Sequence, residues 1–470
     1  MKKIFFFALL LKFAFGYLFA QQGTLQVYTE TSASDFLDGT FSSTTIVGTG
    51  ISASIVLSSF TIQWWDQNWH YRRVLYVFNF ITQKLNNFQV LFTTSTKALI
   101  AAGKMKNDCS DIRFVAEDNQ TILPHYIESG INTDNTKIWI KISTIPAATS
   151  LNDPGYVKIY MYYGNPAAVS VSDGRSVFEV FEDFSTDPRT SGYWDIYDRN
   201  QPTSACVWNS TNRNFSLTKN VGGTAGAIFV KNYSLPTSDS WQAKFKYCVT
   251  NYNNQPDGGE GFTFMFYKQK FASGSYPDTG SYLGFTTGGS GPGYGVEFDA
   301  LWTGETDVNN AAHFALIKDV TYPHIAGTPY SSDAVRDEKW YNAEITFTNY
   351  VSSSNIIVKT IDQNGITVDR INYTGIFDKT YTSLGFSAAS SGNEHLIDDV
   401  IVRKYVSPEP VVIDDGEDPK DFYYALGSYR SGIFDCGAPS VISSVTWTAT
   451  VPPSTFLDVF VFGSSDSVNY

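Results

Sequence analysis

The chain has 470 residues, a length compatible with about two to four domains, and 43% of them are apolar. Charged residues make up 17%, below the roughly 25% of a typical soluble protein, and the formal net charge is −13. Nucleic-acid binding depends on clustered lysines and arginines, and this acidic chain has no basic run. The composition therefore excludes a nucleic-acid partner, whereas cations and neutral glycans are compatible ligands.

Two lysines near the start of the chain are followed by a mostly apolar run that ends before Gln21. This pattern predicts a secretory signal peptide over residues 1–20. We favour it over a membrane anchor because the run is short and Lys12 interrupts it, and no later segment is apolar enough to span a bilayer. The sequence thus predicts a secreted or cell-surface protein with no stable membrane span after processing.

Strand-like patterns begin directly after this segment. Residues 21–62 are rich in Ser and Thr with short alternating runs, and they predict an N-terminal β segment. Residues 63–180 contain runs that alternate or are wholly apolar, as half-buried and buried strands do. Examples are Val74–Asn79, Lys137–Lys141 and Lys158–Tyr162. We expect this region to form a small β-sandwich module.

Four motifs in this module carry a resemblance to a known family. They are the W-x-Y-R run at Trp69–Arg72, DIRF at Asp111–Phe114, IW-x-K at Ile138–Lys141 and MYYGNP at Met161–Pro166. Together they resemble a domain of unknown function found in exported bacterial and archaeal surface proteins, over about residues 62–180. The resemblance implies a surface-protein module and supplies no chemistry.

Residues 181–406 read as one long antiparallel sandwich, in which Gly, Asn, Ser and Pro separate successive strand signals. Helix-period segments are nearly absent from the chain, so the predicted fold class is all-β and multidomain. Cys206 and Cys248 both lie in strand-like contexts within this region. No Cys-x-x-Cys spacing indicates zinc or thioredoxin chemistry, and the two cysteines could form a disulfide or remain buried thiols.

A candidate cation site lies near the centre of this region. Glu297 and Asp299 are two residues apart on a predicted strand, so they share one face and lie roughly 6.6 Å apart along it. A polar loop with Asp307 and Asn309 follows, and a second strand opens at His313. Several oxygen ligands returning to one face are what calcium requires, so the pattern predicts a calcium site.

Four segments in the same region occur in an order that is found in a known family. They are GGEGFTFMF at Gly258–Phe266, TGSYLGF at Thr279–Phe285, GVEFDALW followed by His313, and LGFSAASSGNEH at Leu384–His395. In this order they resemble the L-type (legume-like) lectins, which have the concanavalin-like jelly-roll fold. The resemblance implies a central concanavalin-like antiparallel jelly roll and a shallow saccharide pocket supported by two metal ions.

The resemblance also implies roles for the metal ligands. Glu297 and His313 match the ligands of a transition metal such as manganese, and Asp299 matches the carboxylate that bridges to calcium. Asp307 matches the later acidic ligand, although the loop length differs. The asparagine that usually binds calcium is replaced here by Thr303. The candidates to replace it lie further along the loop and are Glu305, Asn309 and Asn310.

Glycan-binding residues follow from the same comparison. Glu260 stands where the family has an acidic residue that accepts hydrogen bonds from sugar hydroxyls, and Gly280 stands near a glycine whose backbone N–H donates one. Asn393 lies in the variable loop that contacts sugar. The face of Trp302 is also suited to cover the apolar side of a pyranose ring.

An enzyme reading is disfavoured. Retaining β-glucanases share this jelly roll and carry a second glutamate two or three residues after the E-x-D pattern, because nucleophile and acid must lie roughly 5–5.5 Å apart. Leu301 and Trp302 occupy those positions here. No G-x-S-x-G or HExxH motif is present either. We therefore predict no catalytic residues and no enzymatic activity.

The C-terminal part begins with an acidic, Pro-rich stretch, residues 407–421, which predicts a linker. Residues 422–470 contain a few strand-like runs and predict a partial β module. The primary hypothesis is an exported carbohydrate-binding protein that serves in adhesion or in the cell envelope. A second hypothesis is a structural surface or filament component that assembles with other surface proteins and uses the lectin fold as a scaffold. A polysaccharide-active enzyme is the third.

Overall fold

The computed structural model describes most of the chain between Trp64 and Glu417, together with the backbone of short strands on either side. The described residues in that span are 64–150, 153–199, 205–235, 239–250, 260–268, 270–289, 291, 293–300, 312–328, 333–335, 337–380 and 383–417. Trp302, Asp307 and Asn309, three positions with predicted roles, lie outside them.

Short strands occur before residue 64. They are β1 (Leu9–Phe13), β2 (Thr40–Ser42), β3 (Thr44–Val47), β4 (Ser54–Leu57) and β5 (Ser59–Thr61). β3 and β4 form an antiparallel pair in which Thr44 faces Leu57.

The next strands form two antiparallel sheets around one apolar core. They are β6 (Tyr71–Asn79), β7 (Leu85–Thr94), β8 (Arg113–Ala116), β9 (Ile122–Leu123), β10 (His125–Ser129), β11 (Thr136–Ile145) and β12 (Gly155–Tyr163). One sheet has the order β6-β12-β8-β9, and the other has the order β10-β11-β7. Buried side chains from both sheets, including Leu75, Phe92 and Met161, fill the space between them. A helix at Thr96–Ala101 follows β7, and Ser95 caps its first turn by accepting from the Ala98 N–H.

A larger sandwich follows. Its strands are β13 (Val180–Glu182), β14 (Trp194–Asp198), β15 (Val207–Asn209), β16 (Asn214–Thr218), β17 (Thr224–Val230), β18 (Ser240–Val249), β19 (Gly261–Tyr267), β20 (Gly293–Asp299), β21 (His313–Lys318), β22 (Ala326–Thr328), β23 (Tyr341–Asn349), β24 (Ser354–Ile361), β25 (Thr367–Gly375), β26 (Ser383–Ser390) and β27 (His395–Tyr405). The helices among them are Gly174–Val177, Pro188–Ser191 and the 3-10 turns Gly280–Tyr282 and Asp333–Val335. The predicted all-β fold class is confirmed.

Two sheets build this sandwich. The first has the order β15-β16-β27-β18-β23-β24-β25, with β13 also paired to β27, and the second has the order β14-β17-β26-β19-β20-β21-β22. Burial alternates along β24, as expected for a sheet with one solvated face. Every residue of β19 and β20 is buried, so both faces of the second sheet are covered at its centre.

Aromatic side chains dominate the core between these sheets. Phe245 on β18 lies 4.9 Å from Phe386 on β26 and 5.7 Å from Phe264 on β19, measured between ring centroids. Full burial of a large apolar side chain contributes roughly 1.5–3 kcal/mol, and edge-to-face ring pairs add to it. Cys206 and Cys248 are both buried as free thiols rather than joined in a disulfide.

The segment predicted to be a linker contains a strand instead. Residues Val411–Glu417 (β28) pair antiparallel with β6, so the chain returns to the first sheet after it leaves the sandwich. Arg73 and Asp414 form an ion pair across this junction, with Nη1 and Oδ2 2.6 Å apart. The sequence predicts a linker here because the segment is acidic and Pro-rich, whereas its pairing depends on a partner strand some 340 residues away.

Side chains from both regions meet at a second junction. Trp139 of the first module forms a buried cluster with Phe178, Phe181 and Ile401. The Arg403 guanidinium lies 4.9 Å from the centroid of the Trp139 ring and donates to both carboxylate oxygens of Glu409, at 2.6 and 2.8 Å. The two sandwiches are therefore packed against each other through apolar and charged contacts.

The last described strands pair with the N-terminal ones. They are β29 (Asp421–Tyr423), β30 (Gly427–Arg430) and β31 (Val459–Val461). β29 pairs with β5, and β30 lies between β1 and β2. None of the helices in the described part of the chain has the length and apolar character needed to cross a bilayer.

His395 makes the stability of the sandwich depend on pH. It is fully buried, with Nδ1 2.7 Å from the Thr218 hydroxyl, and burial lowers its pKa from 6.5 to about 3. Below about pH 6.5 the unfolded chain binds a proton that the folded chain refuses, so stability falls as pH falls through that window. When the pH is lowered from about 7 to about 5, the free energy of unfolding of His395→Gln is therefore expected to fall by about 2 kcal/mol less than that of the wild type.

Urea unfolding at several pH values measures this difference. Burial also lowers the pKa of His125, to about 4, and raises that of Asp398, to about 7, with the neighbouring Asp399 adding to the latter shift. His125 and Asp398 are present in both proteins and contribute equally to each. The difference between the two slopes of unfolding free energy against pH therefore comes from His395. Parallel plots of stability against pH for the two proteins would contradict the prediction.

Candidate functional site

Sheet register brings the predicted site residues to one end of the second sheet. Gly261 at the start of β19 faces Asp299 at the end of β20, and it also faces Ala389 near the end of β26. Asp299 in turn faces His313, the first residue of β21. Adjacent strands lie roughly 4.8 Å apart. Residues that are far apart in sequence therefore meet along one edge.

Glu297 and Asp299 lie on the outer face of this sheet. Their neighbours Val296 and Phe298 point the other way into the core between the sheets. Glu297 faces Ala315, which belongs to the smaller apolar cluster that covers the outer face. The i, i+2 spacing thus places both carboxylates on the same side, as the sequence predicts, and both are buried.

Glu297 converges with two histidines. His324 Nε2 lies 3.3 Å from Glu297 Oε2, and His313 Nε2 lies 4.0 Å from the same oxygen. The two imidazole centroids are 4.9 Å apart, and one ligand atom from each of the three side chains lies within 4.8 Å of the others. The side chain of Glu297 is only 1% exposed, that of His313 2% and that of His324 6%. Among the described residues, this is the group of acidic, His and Cys side chains that fits around one metal ion.

Sequence reasoning missed His324. It lies on the connection between β21 and β22, and the N–H of the next residue, Ile325, donates to the carbonyl of Leu316 at 2.7 Å. This bond returns the chain to the edge of β21 and so brings His324 beside His313. A second histidine eleven residues after the first is a weak signal, because only the chain reversal makes the two neighbours.

The donor set fits a metal ion. Two imidazole nitrogens and a carboxylate suit a first-row transition metal. A structural observation supports the fit: the Thr263 hydroxyl is fully buried and has no hydrogen-bond partner among the described atoms. Thr263 faces Glu297 across β19 and β20, so its hydroxyl is available to a group bound beside that carboxylate.

Calcium is less well served by the described residues. Calcium takes six to eight oxygens, whereas the group of described side chains that fits around one ion has one carboxylate, from Glu297, next to two imidazole nitrogens. Asp307 and Asn309, the further predicted oxygen ligands, lie outside the described residues. The calcium site predicted from the sequence therefore stays a prediction.

Glu260 forms the second feature at this end of the sheet. Its carboxylate accepts from the exposed Ser391 hydroxyl at 2.5 Å, and its backbone carbonyl accepts from Ala300 N–H at 3.0 Å. Burial raises the pKa of Glu260, and the Ser391 hydrogen bond opposes that shift. Ser391 was not singled out from the sequence, although it lies in the loop that was predicted to contact sugar. The pair presents an acceptor and a hydroxyl side by side.

The other predicted glycan ligands are placed differently. Asn393 is fully buried, and both its N–H and its carbonyl bond with the Ser390 hydroxyl, at 2.7 and 2.6 Å. In this turn it is Ser391 that lies beside Glu260, and the glycan contact of Asn393 stays a prediction. Gly280 opens a 3-10 turn with a φ of +73°, and four residues later Gly284 approaches the Ala388 backbone so closely that a Cβ would lie 2.6 Å from its carbonyl oxygen.

Comparisons in sequence cover only part of the chain. Residues 108–197 match the family described as "Domain of unknown function (DUF2341)". The match begins later than the resemblance over residues 62–180 and extends into the first strands of the sandwich. No curated protein matches the chain in sequence.

Comparisons in structure find lectins. The chain is similar to lectin I-B4 from Griffonia simplicifolia (15% identity, TM-score 0.38, 48% of this chain and 97% of that one). It is also similar to the exoplasmic/lumenal domain of VIP36 in its Ca²⁺/Man-bound form (14% identity, TM-score 0.39, 50% of this chain and 97% of that one). A third similar structure is the lectin from Bauhinia forficata in complex with GalNAc (13% identity, TM-score 0.38, 49% of this chain and 97% of that one). The solved structures that this chain resembles thus include legume-type lectins, in agreement with its sequence motifs.

Proposed function

We propose that this chain is an exported, non-enzymatic carbohydrate-binding protein whose glycan pocket lies at the end of the second sheet of the sandwich. The observation that carries the proposal is the Glu260–Ser391 pair, which lies at the same edge as Asp299 and His313. The four ordered sequence motifs support it, because each contributes a strand or loop to this edge. The lysine-containing apolar segment at residues 1–20 supports export.

The chemistry of the pair suits sugar hydroxyls. Each hydroxyl both donates and accepts, so a site needs paired acceptors and donors. The Glu260 carboxylate is an acceptor of the charge-assisted kind, and the exposed Ser391 hydroxyl can donate or accept. With a net charge of −13, the protein favours neutral glycans over anionic ones.

A metal ion would serve this pocket indirectly. Glu297, His313 and His324 would hold it, and its positive charge would compensate the buried Glu297 carboxylate. Glu297 is two residues from Asp299, and Asp299 faces Gly261, the residue after Glu260. The same backbone pairs therefore fix both the candidate metal ligands and the sugar-binding carboxylate.

A glycan array tests the proposal with wild-type protein and two variants. Glu260→Gln keeps the shape of the side chain but removes its charge, so affinity for the bound glycan is expected to fall about 10- to 100-fold. Glu344→Gln is the matched control. Glu344 is a half-buried glutamate whose carboxylate pairs with Lys244 at 2.7 Å on the other sheet, and such surface pairs contribute little.

Failure would be informative. A folded wild-type protein that binds no glycan, with or without EDTA, would overturn the proposal. Ordered self-assembly of that protein would then favour the structural surface component. Equal binding by Glu260→Gln and wild type would place the pocket elsewhere on the sandwich.

A further inference from the structure

The end of the second sheet that carries the proposed glycan pocket continues onto a third strand. The strand order there is β19-β26-β17, and Thr224 at the start of β17 faces Ser390 at the end of β26. The Gly223 N–H donates to the Ser390 carbonyl at 2.8 Å, which extends the pairing beyond the strands. The turn that leads into β17, residues 219–223, therefore lies beside Ser391. We call it the β17 turn.

The β17 turn is exposed where it meets Ser391. A Cβ placed on Gly222 would lie 3.3 Å from the Ser391 carbonyl oxygen, so the two segments pack closely. At Gly223 nothing lies within 4 Å of such a Cβ, which leaves open space at this point of the rim. Val221 is 56% exposed, and Ser391 is exposed as well. The solvent-facing surface therefore runs from the hydroxyl beside Glu260 onto an apolar side chain.

Hydrogen bonds within the β17 turn fix its shape before any ligand arrives. The Thr224 hydroxyl lies 2.9 Å from the Val221 carbonyl oxygen and 3.3 Å from that of Lys219. The Val221 N–H donates to the same Lys219 carbonyl at 2.7 Å. Binding therefore does not have to order this segment, and a preformed contact surface costs less entropy than one that folds around its ligand.

We propose that the β17 turn is a second subsite of the glycan pocket, and that the ligand is an oligosaccharide whose second ring packs against Val221. This inference rests on the proposed function and adds the size of the ligand to it. Glu260 precedes β19 and the turn precedes β17, so two strand spacings, roughly 9.6 Å, separate the two subsites. One pyranose ring does not span that separation, whereas two linked rings do.

The two subsites supply complementary chemistry. The Glu260–Ser391 pair offers hydrogen bonds to hydroxyls, but water competes for each of those bonds, so the net gain per bond is small. A pyranose also has apolar C–H groups, and burying them against Val221 is favourable in proportion to the area removed from water. Ligand sites generally combine such an apolar surface with a few polar groups. Contact with a second ring is therefore expected to supply much of the affinity.

A glycan array of oligosaccharides with two to five sugar units, probed with the full-length chain, tests the size of the ligand. The methyl glycosides of mannose, galactose, glucose, fucose, N-acetylglucosamine and N-acetylgalactosamine then compete for the bound chain, one at a time. We expect each of them to bind at least tenfold more weakly than the best oligosaccharide. A single sugar that binds as tightly as the oligosaccharide would overturn the proposal and leave the proposed function intact.

Variants locate the second subsite. Val221→Ser removes the apolar contact and keeps an exposed side chain. It should lower affinity for the oligosaccharide about three- to tenfold and leave inhibition by the methyl glycosides unchanged, because those occupy only the first subsite. Glu260→Gln should weaken both kinds of ligand. Val351→Ser is the matched control, since Val351 is a fully exposed valine on the turn between β23 and β24 of the other sheet, and it should bind as wild type does.

Each outcome distinguishes the subsite from the pocket. Equal affinity of Val221→Ser and wild type for the oligosaccharide would remove the β17 turn from the site, while a loss in Glu260→Gln would still support the pocket. Equal losses for oligosaccharides and methyl glycosides in Val221→Ser, or any loss in Val351→Ser, would show a general effect on the sandwich and overturn the subsite. No binding of any glycan by the folded wild type would overturn both proposals. An unchanged midpoint in urea unfolding confirms that Val221→Ser is folded.

Discussion

Replacing Phe245 with alanine is expected to lower the free energy of unfolding of the sandwich by about 3–5 kcal/mol. Phe245 is 1% exposed and lies on β18 in the first sheet, where it contacts rings from the second sheet. Its centroid lies 4.9 Å from that of Phe386, 5.7 Å from that of Phe264 and 5.8 Å from that of Phe298. The substitution leaves a cavity among three strands that cannot all move inward.

Urea unfolding followed by tryptophan fluorescence measures this loss, since Trp241 lies four residues before Phe245 on the same strand. The control is Ile376→Ala, because Ile376 is a large apolar residue that is 88% exposed. Its expected change is within about 0.5 kcal/mol. Similar losses in the two variants would show that the core between the sheets is not tightly packed around Phe245.

The fold was predictable from local patterns. Strand signals separated by Gly and Asn identified the all-β class, and the half-buried strands show why. Along β24 every second residue is buried, which is the alternation that periodicity detects. The centre of the second sheet is buried on both faces and alternates little, so β19 and β20 were recognised by their motifs instead.

The site was predictable only where its residues are close in sequence. Glu297 and Asp299 share a face because strand geometry fixes the direction of residues i and i+2. His324 was not predictable, because the connection after β21 reverses before bringing it back to the sheet. The Glu260–Ser391 pair escaped prediction for the same reason, since its two residues are 131 positions apart in the chain.

Loop conformation explains why the structure places Ser391, and not the predicted Asn393, beside Glu260. Asn393 and Ser391 lie two residues apart in one turn, and sequence alone does not tell which of them faces outward. In the structure the Ser390 hydroxyl bonds the N–H groups of Gly392 and Asn393, at 2.9 and 2.7 Å. This turn buries Asn393 and leaves Ser391 beside Glu260. The choice depends on local hydrogen bonds that no spacing rule describes.

Gly261 couples the proposed glycan-binding edge to the fold, and Gly261→Ala should therefore damage both. Its φ of +141° is open only to glycine, and an added Cβ would lie 2.4 Å from the Phe298 carbonyl oxygen and 3.0 Å from the Asp299 Cα. The conformation costs an alanine about 1–3 kcal/mol, and overpacking adds about 1–3 kcal/mol. Because β19 must then move away from β20, we also expect the loss of glycan binding through Glu260.

Gly392→Ala separates the two costs. Gly392 has a nearly identical φ of +146°, but nothing lies within 4 Å of a Cβ placed there. In urea unfolding, Gly392→Ala should therefore lower the free energy of unfolding only by the cost of the backbone conformation, without the overpacking cost. Equal destabilisation by the two substitutions would mean that β19 can move from β20 at no cost. A larger loss for Gly261→Ala would mean that the contact of Gly261 with Phe298 and Asp299 holds the edge, and with it the relative positions of Glu260 and Glu297.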